Sequence, residues 1–229
     1  MDTVSLRDKL KKYKKFVKEF TLQNKNGVED IHKLRLKSRE LFSLIDHEDP
    51  FFKRIKKVIK LSNKVRDLDV FYEEYIQSLP KKLIKKLDLK TIERYNNLIR
   101  VENIEKLHTY LKMFLDIPES VNFKYEEKEF DKSKIDDLEF NPKELHKYRI
   151  YIKKRLFKEK NSYPLNKKKI KLLTDIKDIL GNINDNSNGF KRLQTYNIDE
   201  SVLEDIDIYT KKQNGILFDK FKTFNKEVE

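Results

Sequence analysis

A chain of 229 residues without a single cysteine can carry no disulfide framework, thiolate metal site or thiol nucleophile. Its 52 Lys and Arg outnumber 39 Asp and Glu, and the formal net charge of +13 favours polyanionic partners through counterion release and steering. Four Gly and five Pro are too few for a Rossmann fold or a many-turned β protein, whereas apolar residues three and four apart predict an all-α protein.

Leu6, Leu10, Tyr13, Val17 and Phe20 recur at helical spacing and predict a first amphipathic helix ending near Asn26-Gly27. A second is expected from about Val28 to Ile45. Asp49-Pro50 opens a third, with Phe51, Ile55, Val58, Ile59, Val65 and Leu68 inward, reaching about Leu79-Pro80. The fourth covers roughly Leu89 to Leu115 and stops before Pro118. Four such helices suffice for one antiparallel bundle. Between residues 118 and 141 the character changes: Val121 to Tyr125 alternates briefly, and Glu126 to Asp137 is acidic and weakly periodic. That stretch reads as a connector between a first half, 1–117, and a second, 142–229. Asn141-Pro142, an N-cap followed by a proline at the first helical position, starts the next helix, which runs to about Lys160. Tyr163-Pro164 opens another, expected to end between Leu180-Gly181 and Asn188-Gly189. The last spans roughly Asp199 to Asn225, with a nick at Asn214-Gly215. The first seven residues lack the apolar centre of a signal peptide, and no stretch approaches the length of a membrane span. A soluble, cytoplasmic protein without membrane contact is expected.

One pattern occurs twice. His32-Lys33-Leu34-Arg35-Leu36-Lys37-Ser38-Arg39 is matched by His146-Lys147-Tyr148-Arg149-Ile150-Tyr151-Ile152-Lys153-Lys154. Positions i, i+3 and i+7 share one helix face, so each copy aims an imidazole and two cations in one direction. Asp67 follows His32 by 35 residues and Asp185 follows His146 by 39, so each His helix precedes a helix of the same layout. These coincidences indicate an internal repeat of about 115 residues.

These residues resemble a CHAD domain, the conserved-histidine α-helical domain, over roughly residues 4–225. Members show two repeats, each with a His-x-x-Arg-x-x-x-Arg/Lys helix followed by a basic helix. Lys64-Val65-Arg66-Asp67-Leu68-Asp69-Val70 reproduces the Leu-Gly-x-Val-Arg-Asp-Leu-Asp-Val-like turn that ends the first of these helices in the family, with Asn63 where Gly is usual. Ile179-Leu180-Gly181-Asn182-Ile183-Asn184-Asp185 fits the second-repeat version. The chain departs from the family at Glu40 and Phe42, where further Arg is frequent, and at Lys153 and Lys154, where Arg is common. The resemblance implies two pseudo-symmetric four-helix bundles with basic faces meeting around a central groove. It also implies non-catalytic binding of inorganic polyphosphate, at polyphosphate granules or beside polyphosphate-metabolising proteins. No Glu-x-Glu-x-Lys start of a CYTH-type triphosphate-processing domain occurs, so a stand-alone module is expected.

Polyphosphate offers charge but no base to stack, and a rigid wall of cations suits it. Its candidate wall is His32, Arg35 and Arg39, then Lys56, Lys57, Lys60 and Lys64 with Arg66, and in the second half His146, Arg149, Lys153, Lys154 and Lys177. The two histidines are assigned as phosphate donors. Asp67, Asp69 and Asp185 are expected to orient basic side chains across each helix pair, and His47 and His108 to be structural or exposed. No catalytic triad, Gly-rich phosphate loop or cofactor motif is present, so neither enzyme activity nor a cofactor is expected. Two alternatives stand. Glu29/His32 and Glu105/His108 are both Glu-x-x-His, the spacing of di-iron carboxylate bundles, although Arg35 and Arg39 on the face of His32 would repel a metal dication. Non-specific nucleic-acid binding follows from charge alone, but most aromatics fall at core spacing and no basic stripe is interleaved with exposed ones.

Overall fold

In the computed structural model, which describes residues 3–122, 140–160 and 165–226, every regular element is helical and no strand occurs among the described residues. In chain order these are α1 (Thr3–Leu22), α2 (Val28–Phe42), α3 (Pro50–Asp69), α4 (Lys81–Ile84), α5 (Leu89–Met113), α6 (Pro142–Lys160), α7 (Lys167–Leu193) and α8 (Glu200–Lys226). From Asp69 the chain continues directly into a π-helical segment, Val70–Ile76. None of these helices is long and apolar enough to cross a membrane. The connector beyond Asn122 and the Tyr163-Pro164 helix start lie outside the described residues.

Local chemistry explains most boundaries. The carboxylate of Asp49 accepts the Phe51 amide at 2.8 Å and the Asn122 amide at 2.7 Å, so it caps α3 and tethers the segment after α5 at once. Pro50 follows at the first helical position, where its missing N–H costs nothing. α1 stops at Leu22, and Asn24 turns the chain with a left-handed φ of 47° ahead of Asn26-Gly27. Asn166 caps α7 by accepting the Lys169 amide at 3.0 Å.

Two expected helix breaks do not occur. α7 passes through Gly181 and Gly189 to Leu193, and both glycines are buried where another side chain crosses the helix. α8 passes through Asn214-Gly215 because Asn214 is buried and bridges back to α7: its Oδ1 accepts from Asn186 at 3.0 Å and its Nδ2 donates to Ser187 Oγ at 3.2 Å.

The chain divides into two compact units. The first holds α1, α2, α3 and α5 around a core that includes Tyr13, Phe20, Leu34, Ile55, Val58 and Leu107. The second holds α6, α7 and α8 around Leu145, Ile152, Leu173, Ile176 and Phe221. Residues Glu73–Asp88 group with the second unit, whereas division at 117/118 counts them in the first half. The reason is a set of long-range contacts. The Tyr75 hydroxyl lies 3.0 Å from Thr210 Oγ1, Tyr209 donates to the Ser78 carbonyl at 3.2 Å, and Lys86 pairs with Asp205 at 2.8 Å.

Each unit buries a tyrosine that an alkaline titration should detect. Burial raises the Tyr13 phenol strongly, against a smaller opposing effect of its 2.8 Å hydrogen bond with Ser38. Burial likewise raises Tyr75 to about 12, opposed by its bond with Thr210. An unfolded tyrosine ionises near pH 10, so between about pH 10 and 12 the unfolded chain loses protons that the folded chain keeps. Stability from these groups is therefore fully present below about pH 10 and is lost as pH rises. Urea melts from about pH 9 to 11.5 should show a falling midpoint, shallower in Tyr13→Phe and in Tyr75→Phe. A flat midpoint in the wild type would contradict both burials.

Candidate anion-binding site

Heptad-like spacing of Ile31, Leu34, Ser38 and Leu41 turns one side of α2 into the first core and leaves His32, Arg35 and Arg39 half-buried along its flank. α3 packs beside α2, and there the Arg35 Nε–H donates to Asn63 Oδ1 at 2.5 Å. Asn63 is thus the point where the two basic helices meet. Counting about 100° per residue around α3, Lys56 and Lys60 fall within about 60° of Asn63, on the side that carries Arg35. Lys57 and Lys64 stand about 100° or more away, and all four lysines are exposed. Lys64 is near enough to Glu102 on α5 to help lower its carboxyl, after the larger effect of Lys106. Arg66 is half-buried on the core side of the same row. His32, Arg35, Arg39, Lys56 and Lys60 therefore form one array, and Lys57 and Lys64 lie on its far flank. The His32 Nδ1 is buried and has no hydrogen-bond partner.

The second unit repeats this arrangement with different chemistry. On α6, Leu145, Tyr148, Ile152 and Leu156 face the core, with His146 exposed and Arg149 and Lys153 half-buried along the neighbouring flank. Lys154 stands about 140° around the helix from Arg149, so it leaves that flank. Where Arg35 meets Asn63, Arg149 meets Gly181: a Cβ at Gly181 would lie 2.7 Å from Arg149 Nη2 and 3.2 Å from Cζ. The guanidinium therefore rests on bare α7 backbone, and its Nε–H is buried without a partner. Lys177 lies one turn earlier on the same face of α7, its ammonium 2.9 Å from Asp178. Lys177 is thus paired within its own helix, and Asp185 stands one turn after Gly181 as Asp67 does after Asn63.

Sequence reasoning registered Asn63 only as a departure from the family motif and Gly181 as a motif position and a helix end, yet each is the residue its arginine rests on. The available signal is spacing: Asn63 and Gly181 each precede an aspartate, Asp67 and Asp185, by four residues. Of the expected orienting carboxylates, Asp69 does hold an arginine across helices, but the partner is Arg100 on α5, at 2.5 Å. Asp185 accepts from the neighbouring Asn184 side chain at 3.0 Å.

The di-iron ligand set is not assembled. Glu29 and Glu105 are exposed, and Glu29 lies 3.6 Å from Lys33. His108 is buried, stacked on Phe20 at 5.1 Å between ring centres, with its Nε2–H donating to the Lys25 carbonyl at 2.8 Å. Among the described residues, no three His, Asp or Glu gather closely enough to hold a metal ion. His47 is exposed, its ring 5.9 Å from that of Phe52. No family model matches the chain, and neither a curated protein nor a solved structure matches it.

Proposed function

We propose that this chain is a CHAD-like module that binds inorganic polyphosphate without chemistry, through the basic helix pair that each unit carries. One observation supports this most. In both units the arginine of the His-x-x-Arg helix rests on the next helix at the residue four before an aspartate, on Asn63 in one and Gly181 in the other. A matched contact between matched motifs is what an internal repeat produces, and scattered lysine-rich helices have no reason to share it. Each array combines planar forks that grip two phosphate oxygens with lysine point charges and an imidazole. Such charge-assisted bonds contribute on the order of 1.5–3 kcal/mol each when partly desolvated. The role that follows is recruitment of the protein, or of a polyphosphate-metabolising partner, to polyphosphate in the cytoplasm, including at granules.

Calorimetric titration tests this with long-chain polyphosphate, duplex DNA and RNA of matched charge, at about 0.15 M and 0.3 M salt. The variant His32→Ala/Arg35→Ala/His146→Ala/Arg149→Ala runs alongside, with circular dichroism to verify its fold. Polyphosphate binding is expected to outlast nucleic-acid binding at the higher salt and to fall by about a hundredfold or more in the variant. Equal, fully salt-labile binding of all three polyanions, unchanged in the variant, would leave only a generic basic surface.

A further inference from the structure

A glycine in the middle of a long helix weakens it relative to alanine, and α7 keeps one at position 181, twelve residues before its end. Gly181 is buried, and the group that occupies its missing side-chain volume is the guanidinium of Arg149, with Nη2, Cζ and Nε at 2.7, 3.2 and 3.5 Å from a virtual Cβ. Arg149 sits between His146 and Lys153, one turn to either side on α6, while Lys177 stands one turn from Gly181 on α7. The first unit meets the same need by other means, since Asn63 holds Arg35 through a hydrogen bond to Nε. In the second unit, among the described residues, no partner holds Nε, and the guanidinium lies against the bare backbone at Gly181.

We infer that Gly181 is a positioning residue for anion binding: its missing side chain seats the Arg149 guanidinium where the cations of α6 and α7 converge on a phosphoryl group. This rests on the polyphosphate reading and deepens it. A methyl group at position 181 pushes the guanidinium off that seat and into water, where a flexible cation must be ordered again each time it binds. The clash is with the far end of a flexible side chain, so the helix accommodates the methyl group and gains helix propensity. Binding and stability are therefore expected to move in opposite directions, which a purely structural glycine does not allow.

The experiment compares wild type, Gly181→Ala, Arg149→Ala and the double variant. Affinity for long-chain polyphosphate comes from calorimetry, and thermal midpoints are taken without ligand. Gly181→Ala is expected to keep or raise the midpoint while weakening binding by about three- to tenfold, and Arg149→Ala to weaken it by about tenfold. In the Arg149→Ala background, Gly181→Ala is expected to add nothing, because the residue it acts through is gone. Unchanged affinity in Gly181→Ala overturns the inference, as does a joint fall in midpoint and affinity that persists in the double variant. If those results come with tight wild-type binding, the polyphosphate reading survives without this one. Failure of the wild type to bind polyphosphate overturns both.

Discussion

Arg100→Met is expected to destabilise the first unit by about 3–5 kcal/mol, the usual cost of removing one partner from a buried ion pair. The Asp69 side chain is 2% exposed, and its Oδ1 takes the Arg100 Nε–H at 2.5 Å while its Oδ2 has no partner. Arg100 also donates through Nη2 to the Asn26 carbonyl at 2.9 Å, so one guanidinium ties the end of α3, the middle of α5 and the turn before α2. Methionine matches the aliphatic stem but strands a buried carboxylate without its charged donor. Neutralising that carboxylate should recover most of the loss, so Asp69→Asn/Arg100→Met is expected to be more stable than Arg100→Met alone. Urea unfolding of the wild type and the two variants decides it. A loss below about 1 kcal/mol in Arg100→Met would mean the pair behaves like an exposed one.

Gly189→Ala is expected to cost about 3 kcal/mol or more, at or beyond the usual upper end of overpacking. A Cβ there would lie 2.2 Å from Tyr75 Cγ and 2.6 Å from both Cδ atoms, against the Cγ end of a buried aromatic ring. The ring has little freedom to retreat, because its hydroxyl is bonded to Thr210 at 3.0 Å. The same substitution eight residues earlier on the same helix is expected to be neutral or stabilising, because there the neighbour is a guanidinium that swings away. Thermal melts of Gly181→Ala and Gly189→Ala measured together test that contrast directly. Tyr75→Leu in the Gly189→Ala background should restore part of the loss by replacing the planar ring with a smaller, more adaptable side chain. Equal melting of both glycine variants would remove the distinction between a ring and a flexible chain end.

How far the sequence could be read varied with the range of the interaction. Asp49-Pro50 marked the start of α3 because a cap and an N1 proline act within three residues of one another. The His32-Arg35-Arg39 flank of α2 was visible because helix hydrogen bonds run between residues four apart, so spacing alone dictates the face. Lys56, Lys57, Lys60 and Lys64 were not separable in this way. All four lie on exposed α3, and only the contact of Asn63 with Arg35 shows which pair faces α2.

By itself the sequence determined that the chain is helical, where α2, α3, α5 and α6 begin, which faces are apolar, and that a basic His-x-x-Arg flank occurs twice. All of these rest on interactions within one or two helical turns. Only the tertiary structure decided that Glu73–Asp88 belongs with the second unit, that Gly181 and Gly189 are places where side chains cross α7, and that Asp69 serves Arg100. Those depend on partners 31 to 135 residues away, as in Asp69 with Arg100 and Tyr75 with Thr210. A local pattern shows that a face is to be covered; which residue covers it depends on how distant segments pack, and spacing carries no record of that.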